Sequence, residues 1–319
     1  PGMITGSSTA AVLSAGSIMA PVLALMGIDA VTSGSIIAMG ALLGMIAPPV
    51  NTAALIICAG IDVPYVGFEG PLALITFPLA ILFVLLLGYK QARHMDYEKL
   101  KPALEKQDAI RKQYGVRIYI PLLVLVALMV IFKVLKLGED IGMPLMFLIS
   151  AAVGLFTGKK INVLTAVPEA IRTAAPVMGI LMGVGMFIEV MTATGVRGLV
   201  VISCLRLPST LWLLACAISI PLFGAVSSYG ACSVLGVPFA YIYASLLGGN
   251  SVVVLAAISL IAAVGDMMPP TALAGLFAAQ VTGVEKYTEI LKRCIVPIII
   301  LLVYACFFLA NSKLIAGLF

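Results

Sequence analysis

Two long apolar stretches of this 319-residue chain are each cut by a pair of adjacent prolines. The first reads Gly44-Met45-Ile46-Ala47-Pro48-Pro49-Val50-Asn51-Thr52, the second Gly265-Asp266-Met267-Met268-Pro269-Pro270-Thr271-Ala272. Sliding the chain along itself by 221 positions superposes the two pairs without a gap, and lays Gly27 on Gly248, Gly44 on Gly265 and Ser7 on Ser228. A proline pair removes two backbone donors and stops a helix. In lipid, backbone freed in this way survives only inside protein or beside a water-filled cavity. Matching interruptions in two halves of a chain point to the binding site of a secondary transporter.

The surroundings are those of a bilayer. Residues are 62% hydrophobic and only 10% charged, against about 25% charged in a soluble domain. The 30 glycines and 18 prolines suit close helix packing and deliberate breaks. These features predict a multi-pass helical membrane protein. The net charge of +5 is modest, and with no basic cluster or motif for it, nucleic-acid binding is excluded. Cys58, Cys204, Cys216, Cys232, Cys294 and Cys306 are scattered through apolar segments without a CxxC pair, as small buried hydrophobes. The single histidine, His94, lies in a charged loop, which leaves no histidine metal site or Ser-His dyad.

Apolar windows long enough to enter or span a bilayer cover residues 10–26, 28–60, 72–89, 118–132, 143–156, 176–193, 209–248, 252–283 and 294–310. The most polar segment, 90–117, carries eight lysines and arginines, which places it in the cytoplasm. Most of the charge in the remaining loops agrees with this threading, with Lys133, Lys136, Arg197, Arg206 and Lys313 falling on the other side, if 209–248 enters and returns on one face, as a re-entrant hairpin with its tip at Ser227-Ser228. By repeat symmetry the chain opens on the tip of a second hairpin, Gly6-Ser7-Ser8-Thr9, dipping from the opposite face.

The expected fold is therefore an all-α polytopic membrane protein with inverted-topology repeats, re-entrant helical hairpins and Pro-Pro-interrupted transmembrane helices. Residues 1–90 form the C-terminal part of the first repeat, 91–116 a cytoplasmic charged linker and 117–319 the second repeat, with hairpin 209–248 and broken helix 252–283. Because the first repeat lacks an incoming arm, about a hundred further residues are expected ahead of it.

The candidate ion- and substrate-binding residues follow from the breaks and tips. Ser7, Ser8 and Thr9 supply hydroxyls at one tip, Ser227 and Ser228 at the other. A hard cation wants several oxygen ligands, and hydroxyls with freed carbonyls provide them. Pro48, Pro49, Gly265, Pro269 and Pro270 shape the breaks, while Asn51, Thr52 and Thr271 lie just beyond them. Asp266 is an acid inside a membrane segment, where a carboxylate is costly and so functional by default. A sodium ion near Ser7, Ser8, Ser228 and Asp266, or a proton on Asp266, is the expected charge carrier. Glu189 and Arg172 are weaker candidates: Glu189 is equally suited to snorkel at the interface, and Arg172 suits a helix-end anchor to headgroups better than a contact with an anionic substrate.

In these motifs, Gly6-Ser7-Ser8-Thr9-Ala10-Ala11 with Gly16 and Pro21, Gly44 through Pro49, Gly265 through Pro270 and Gly283-Val284-Glu285-Lys286-Tyr287, the chain resembles the large membrane subunit of TRAP (tripartite ATP-independent periplasmic) transporters of the ion-transporter superfamily. The resemblance implies secondary transport of an organic acid, such as a C4-dicarboxylate or a sugar acid, driven by a sodium gradient, with no cofactor beyond the coupling ion. It also implies a small membrane subunit and a soluble, periplasmic substrate-binding protein as partners. The family pattern often places an aspartate near the second hairpin tip. Here that neighbourhood reads Leu222-Phe223-Gly224-Ala225-Val226-Ser227-Ser228, without an acid.

Rival classes fare worse. A channel or receptor has no need of two matching broken helices with hydroxyl-rich tips. An intramembrane enzyme would need a base beside Ser7 or an HExxH motif, and neither is present. Within the carriers, a single-component carboxylate or ion carrier without a binding protein, coupled to protons, remains the alternative.

Overall fold

The computed structural model describes residues 1–93, 115–134, 143–157, 162–169, 211–225 and 229–319, with scattered positions between these segments. Among the described residues there are helices and turns but no strand. His94, Cys204, most of the linker 91–116, and Ser227 and Ser228 lie outside them. The chain forms two compact units, one of Pro1–Asp96 with Ala175–Phe319, the other of Tyr97–Ala174.

The first half of the larger unit contains α1 (Gly2–Thr5), α2 (Ser8–Leu25, with a π-helical turn at Val12–Gly16), α3 (Ala30–Ile46), α4 (Thr52–Gly60), α5 (Glu69–Leu87) and the short α6 (Tyr89–Ala92). In the smaller unit, a 3-10 turn at Gly115–Tyr119 leads into α7 (Ile120–Val134), which packs against α8 (Met143–Thr157). The Ser150 hydroxyl donates to the Pro121 carbonyl at 2.7 Å and ties these two helices together. The larger unit continues with α9 (Trp212–Gly224), α10 (Tyr229–Tyr241, extended by a π turn at Ile242–Leu246), α11 (Ser251–Ala263), α12 (Leu273–Thr282), α13 (Tyr287–Ala310) and α14 (Ser312–Ala316). Helices α2, α5 and α13 are long and apolar enough to cross a membrane.

The shift of 221 positions recurs in the local structure. Helices α2 and α10 start at Ser8 and Tyr229, and α3 and α11 at Ala30 and Ser251. The turns between them rest on Gly27 and Gly248, both at positive φ (78° and 62°), where a residue without Cβ is favoured. Each following helix is capped by a side chain at the same offset. Asp29 accepts from the Thr32 N–H at 2.9 Å, and Asn250 from the Val253 N–H at 3.1 Å. The residues before the proline pairs, Ala47 and Met268, take extended backbone (ψ 146° and 123°), because a following proline ring disfavours the helical region. Both Pro-Pro peptides are cis.

The helices beyond the breaks cross over. α4 packs against α10 and α11 of the second half, while α12 packs against α2 and α3 of the first. Helix α11 is the centre of the unit, with every residue from Val253 to Met267 buried. Apart from Ser251 and Ser259 its side chains are apolar, as suits a helix surrounded by protein. Small residues permit the closest approaches. A Cβ on Gly2 would stand 2.7 Å from the Gly44 carbonyl carbon, and one on Gly224 would stand 2.4 Å from the Gly265 Cα. In both halves, then, a glycine ahead of a hairpin tip rests on the glycine that precedes a proline pair.

Candidate functional site

At the first tip, the chain turns at Gly6 (φ +60°) between α1 and α2. Ser7 caps α2 by accepting from the Ala10 N–H at 3.3 Å. Ser8 follows in the first turn and is fully buried, and Thr9 is half-buried. At the first break, Asn51 caps α4 through its Oδ1, which accepts from the Ala54 N–H at 2.9 Å. Its Nδ2 donates to Ser259 Oγ on α11 at 2.8 Å, so the cap also ties the first break to the second half. The Thr52 hydroxyl donates to the Gly6 carbonyl at 2.7 Å, closing tip and break on each other.

The second half repeats the closure with a different residue. The Thr271 hydroxyl donates to the Gly224 carbonyl, which lies just before the second tip, at 2.9 Å. Each break is also held by a tyrosine from the loop beyond it. The Tyr65 hydroxyl donates to the Pro49 carbonyl at 3.1 Å and accepts from the Asn51 N–H at 3.2 Å, and its ring stacks on Phe68. The Tyr287 hydroxyl donates to the Pro270 carbonyl at 3.4 Å. Pro48 and Pro49 are half-buried, whereas Pro269 and Pro270 are exposed.

Asp266 joins the two halves. It lies in the 3-10 turn Val264–Met267 that ends the first part of the broken helix, three residues before Pro269, and is 1% exposed. Its Oδ2 accepts from the hydroxyl of Ser8, at the start of α2. Its Oδ1 accepts from the Tyr229 N–H at 3.0 Å, at the start of α10. One carboxylate therefore caps the return helix of the second hairpin and holds the return helix of the first. Negative charge at two helix N-termini is favourable. Among the described residues, no lysine or arginine pairs with it. A buried carboxylate held by two hydrogen bonds and no cation is suited to carry one, as a metal ion or a proton.

The tertiary structure thus brings together Ser7, Ser8, Asn51, Thr52, Gly265, Asp266 and Thr271 from three separate segments. Ser227 and Ser228 lie outside the described residues. Glu189 and Arg172 are exposed. Four residues of the cluster were not named as binding residues from the sequence, Tyr287 standing there only in a family motif: Tyr65, Tyr229, Ser259 and Tyr287. A signal existed for two of them, since Tyr65 and Tyr287 stand 222 positions apart and follow their breaks at nearly equal distance. Among the described residues no group of histidine, cysteine, aspartate and glutamate is arranged to hold a metal ion, so a cation here would depend on one carboxylate, hydroxyls and carbonyls. The family model for the tripartite ATP-independent periplasmic transporter, DctM component, matches residues 2–312. No curated protein matches the chain.

Proposed function

The chain belongs to the DctM-component family of tripartite ATP-independent periplasmic transporters, and from that premise we propose that it carries an organic acid, a carboxylate, across the inner membrane by alternating access, driven by a sodium gradient. It is a transporter component and not an enzyme. A small membrane subunit and a periplasmic binding protein complete the system, and the binding protein delivers the acid.

The observation that carries the ion-coupled reading is Asp266. A carboxylate this deeply buried needs a compensating positive charge, and here both hairpins report on it directly. A cation entering would draw the carboxylate oxygens and the Ser8 oxygen to itself, and would thereby change how both return helices are held. Ion occupancy is then tied to the arrangement of the two tips, as a carrier with two alternating states requires. The Pro-Pro breaks contribute carbonyls free of intrahelical partners beside the same cluster.

The test is uptake of labelled carboxylates into vesicles holding the full transporter with its partners, under an imposed sodium gradient or, separately, a proton gradient. Sodium-driven uptake abolished by Asp266→Asn supports the proposal. Uptake driven by protons alone keeps the carrier and makes Asp266 a proton site. Uptake under neither gradient refutes it.

A further inference from the structure

Tyr229 is the first residue of α10, and its backbone N–H already serves Asp266. Its side chain points elsewhere. The residue is 3% exposed, and among the described residues its hydroxyl makes no hydrogen bond. The phenol lies beside the side chain of Thr52, the first residue of α4, without forming a hydrogen bond to it, and the Thr52 hydroxyl itself donates to the Gly6 carbonyl. A buried phenol without a partner is costly, and such a group calls for a missing ligand. Its neighbourhood has a definite sign. The N-termini of the 13-residue α10 and the nine-residue α4 meet here, one from each half of the chain. Helix N-termini favour negative charge.

We propose that the Tyr229 hydroxyl, set between the N-termini of α4 and α10, donates a hydrogen bond to a carboxylate group of the transported acid. This assignment rests on the carrier reading above and gives that carrier a substrate-contacting residue. It also supplies a physical reason for coupling. Asp266 hangs on the backbone of the same residue, so a substrate carboxylate at the Tyr229 hydroxyl would face a second carboxylate nearby. A cation held by Asp266 and Ser8 cancels that repulsion. The ion then raises affinity for the acid, and by linkage the acid raises affinity for the ion.

The experiment uses the full transporter in proteoliposomes, with labelled succinate, gluconate and lactate as probes. For whichever acid the wild type carries, Tyr229→Phe is expected to raise KM about tenfold, the scale of one hydrogen bond to a charged group. Sodium binding, followed by thermal shift without substrate, is expected to move less than about twofold, because the backbone N–H that serves Asp266 is retained. The unliganded variant should melt at the same temperature as the wild type or higher, since it sheds an unpartnered buried hydroxyl. An unchanged KM with wild-type uptake intact overturns the Tyr229 assignment alone. A variant that melts lower or fails to assemble overturns it as well, because an unbonded hydroxyl does not hold a fold together. A wild type that carries none of the three acids under either gradient removes the carrier reading and this assignment together.

Discussion

The hydroxyl of Ser8 donates to the carboxylate of Asp266 across 258 positions of sequence, and both groups are buried. Ser8 belongs to the first hairpin tip and Asp266 to the second broken helix, so this one bond joins the two halves. The Tyr229 N–H completes the arrangement on the other carboxylate oxygen.

Replacing Asp266 tests that junction. Asp266→Asn keeps the size and an acceptor but removes the charge. Ion-driven uptake should fall by about two orders of magnitude, corresponding to ~3 kcal/mol of lost charge-assisted interaction. Parallel uptake assays on wild type and variant, normalised to the amount of assembled protein, decide it, and near-normal uptake would exclude Asp266 as the coupling site.

Two glycines at positive φ separate backbone strain from packing. Gly6 (φ +60°) has the Thr52 Cγ2 only 2.6 Å from where a Cβ would stand, whereas Gly67 (φ +78°) has nothing within 4 Å. Gly67→Ala should cost about 1–2 kcal/mol from the left-handed conformation alone. Gly6→Ala carries the same cost plus a clash at the tip, so it should melt lower and lose transport. Melting curves that coincide for the two variants would show that the tip is not packed as described.

The contact between glycines offers a second matched pair. A Cβ at Gly265 would sit 2.3 Å from Cys232 Sγ, and one at Gly40, also within a helix, meets nothing. Gly265→Ala is expected to destabilise by about 1–3 kcal/mol through overpacking. Gly40→Ala should be neutral or stabilise by up to ~1 kcal/mol through helix propensity. Thermal denaturation in detergent reads both.

Asn51 performs two tasks that substitutions can divide. Asn51→Ala loses the cap of α4 and the bond to Ser259, and should cost about 2–3 kcal/mol. Asn51→Ser keeps a capping oxygen without adding a buried charge and loses the Nδ2 donor, so it should cost less than the alanine variant. The order of melting midpoints is the measurement, and the reverse order would mean that the cap is the minor part.

Asp29 supplies a pH dependence away from the apolar spans. Partial burial opposes its ionisation, but the Thr32 N–H, the Gln91 side chain and the charge of Arg293 outweigh it and hold its pKa below the ordinary 3.8. A lowered folded-state value means its contribution is fully present above pH 3.8 and is lost as the pH falls through the lower folded-state value. Wild type should therefore lose stability on acidification in that range more steeply than Asp29→Asn, in melts recorded from neutral pH downward.

Much of this architecture is legible in the linear chain because it is local. A proline pair stops a helix wherever it stands, and a glycine at a tight turn announces itself. The pairing of Gly27 with Gly248 by offset alone is matched by positive φ at both. Ser8, Thr52 and Asp266 stand out as polar groups in apolar surroundings, where each demands a partner. What the linear chain leaves open is the choice of partner. Asn51 and Thr52 read as side chains free to meet a ligand, yet they are bonded to Ser259 and Gly6.

The sequence by itself determined a membrane-embedded helical protein, the two breaks, the 221-position correspondence and the polar groups that membrane burial makes significant. Only the tertiary structure decided that α4 and α12 exchange places between the halves, that Asp266 reaches Ser8, and that Tyr229 turns an unbonded hydroxyl toward Thr52. The reason is physical. Helix α11 is apolar apart from Ser251 and Ser259, so no continuous polar face tells which flank meets which helix. In such a helix, facing is set by close packing at glycines such as Gly224 and Gly265, and by the need of each buried polar group for a partner.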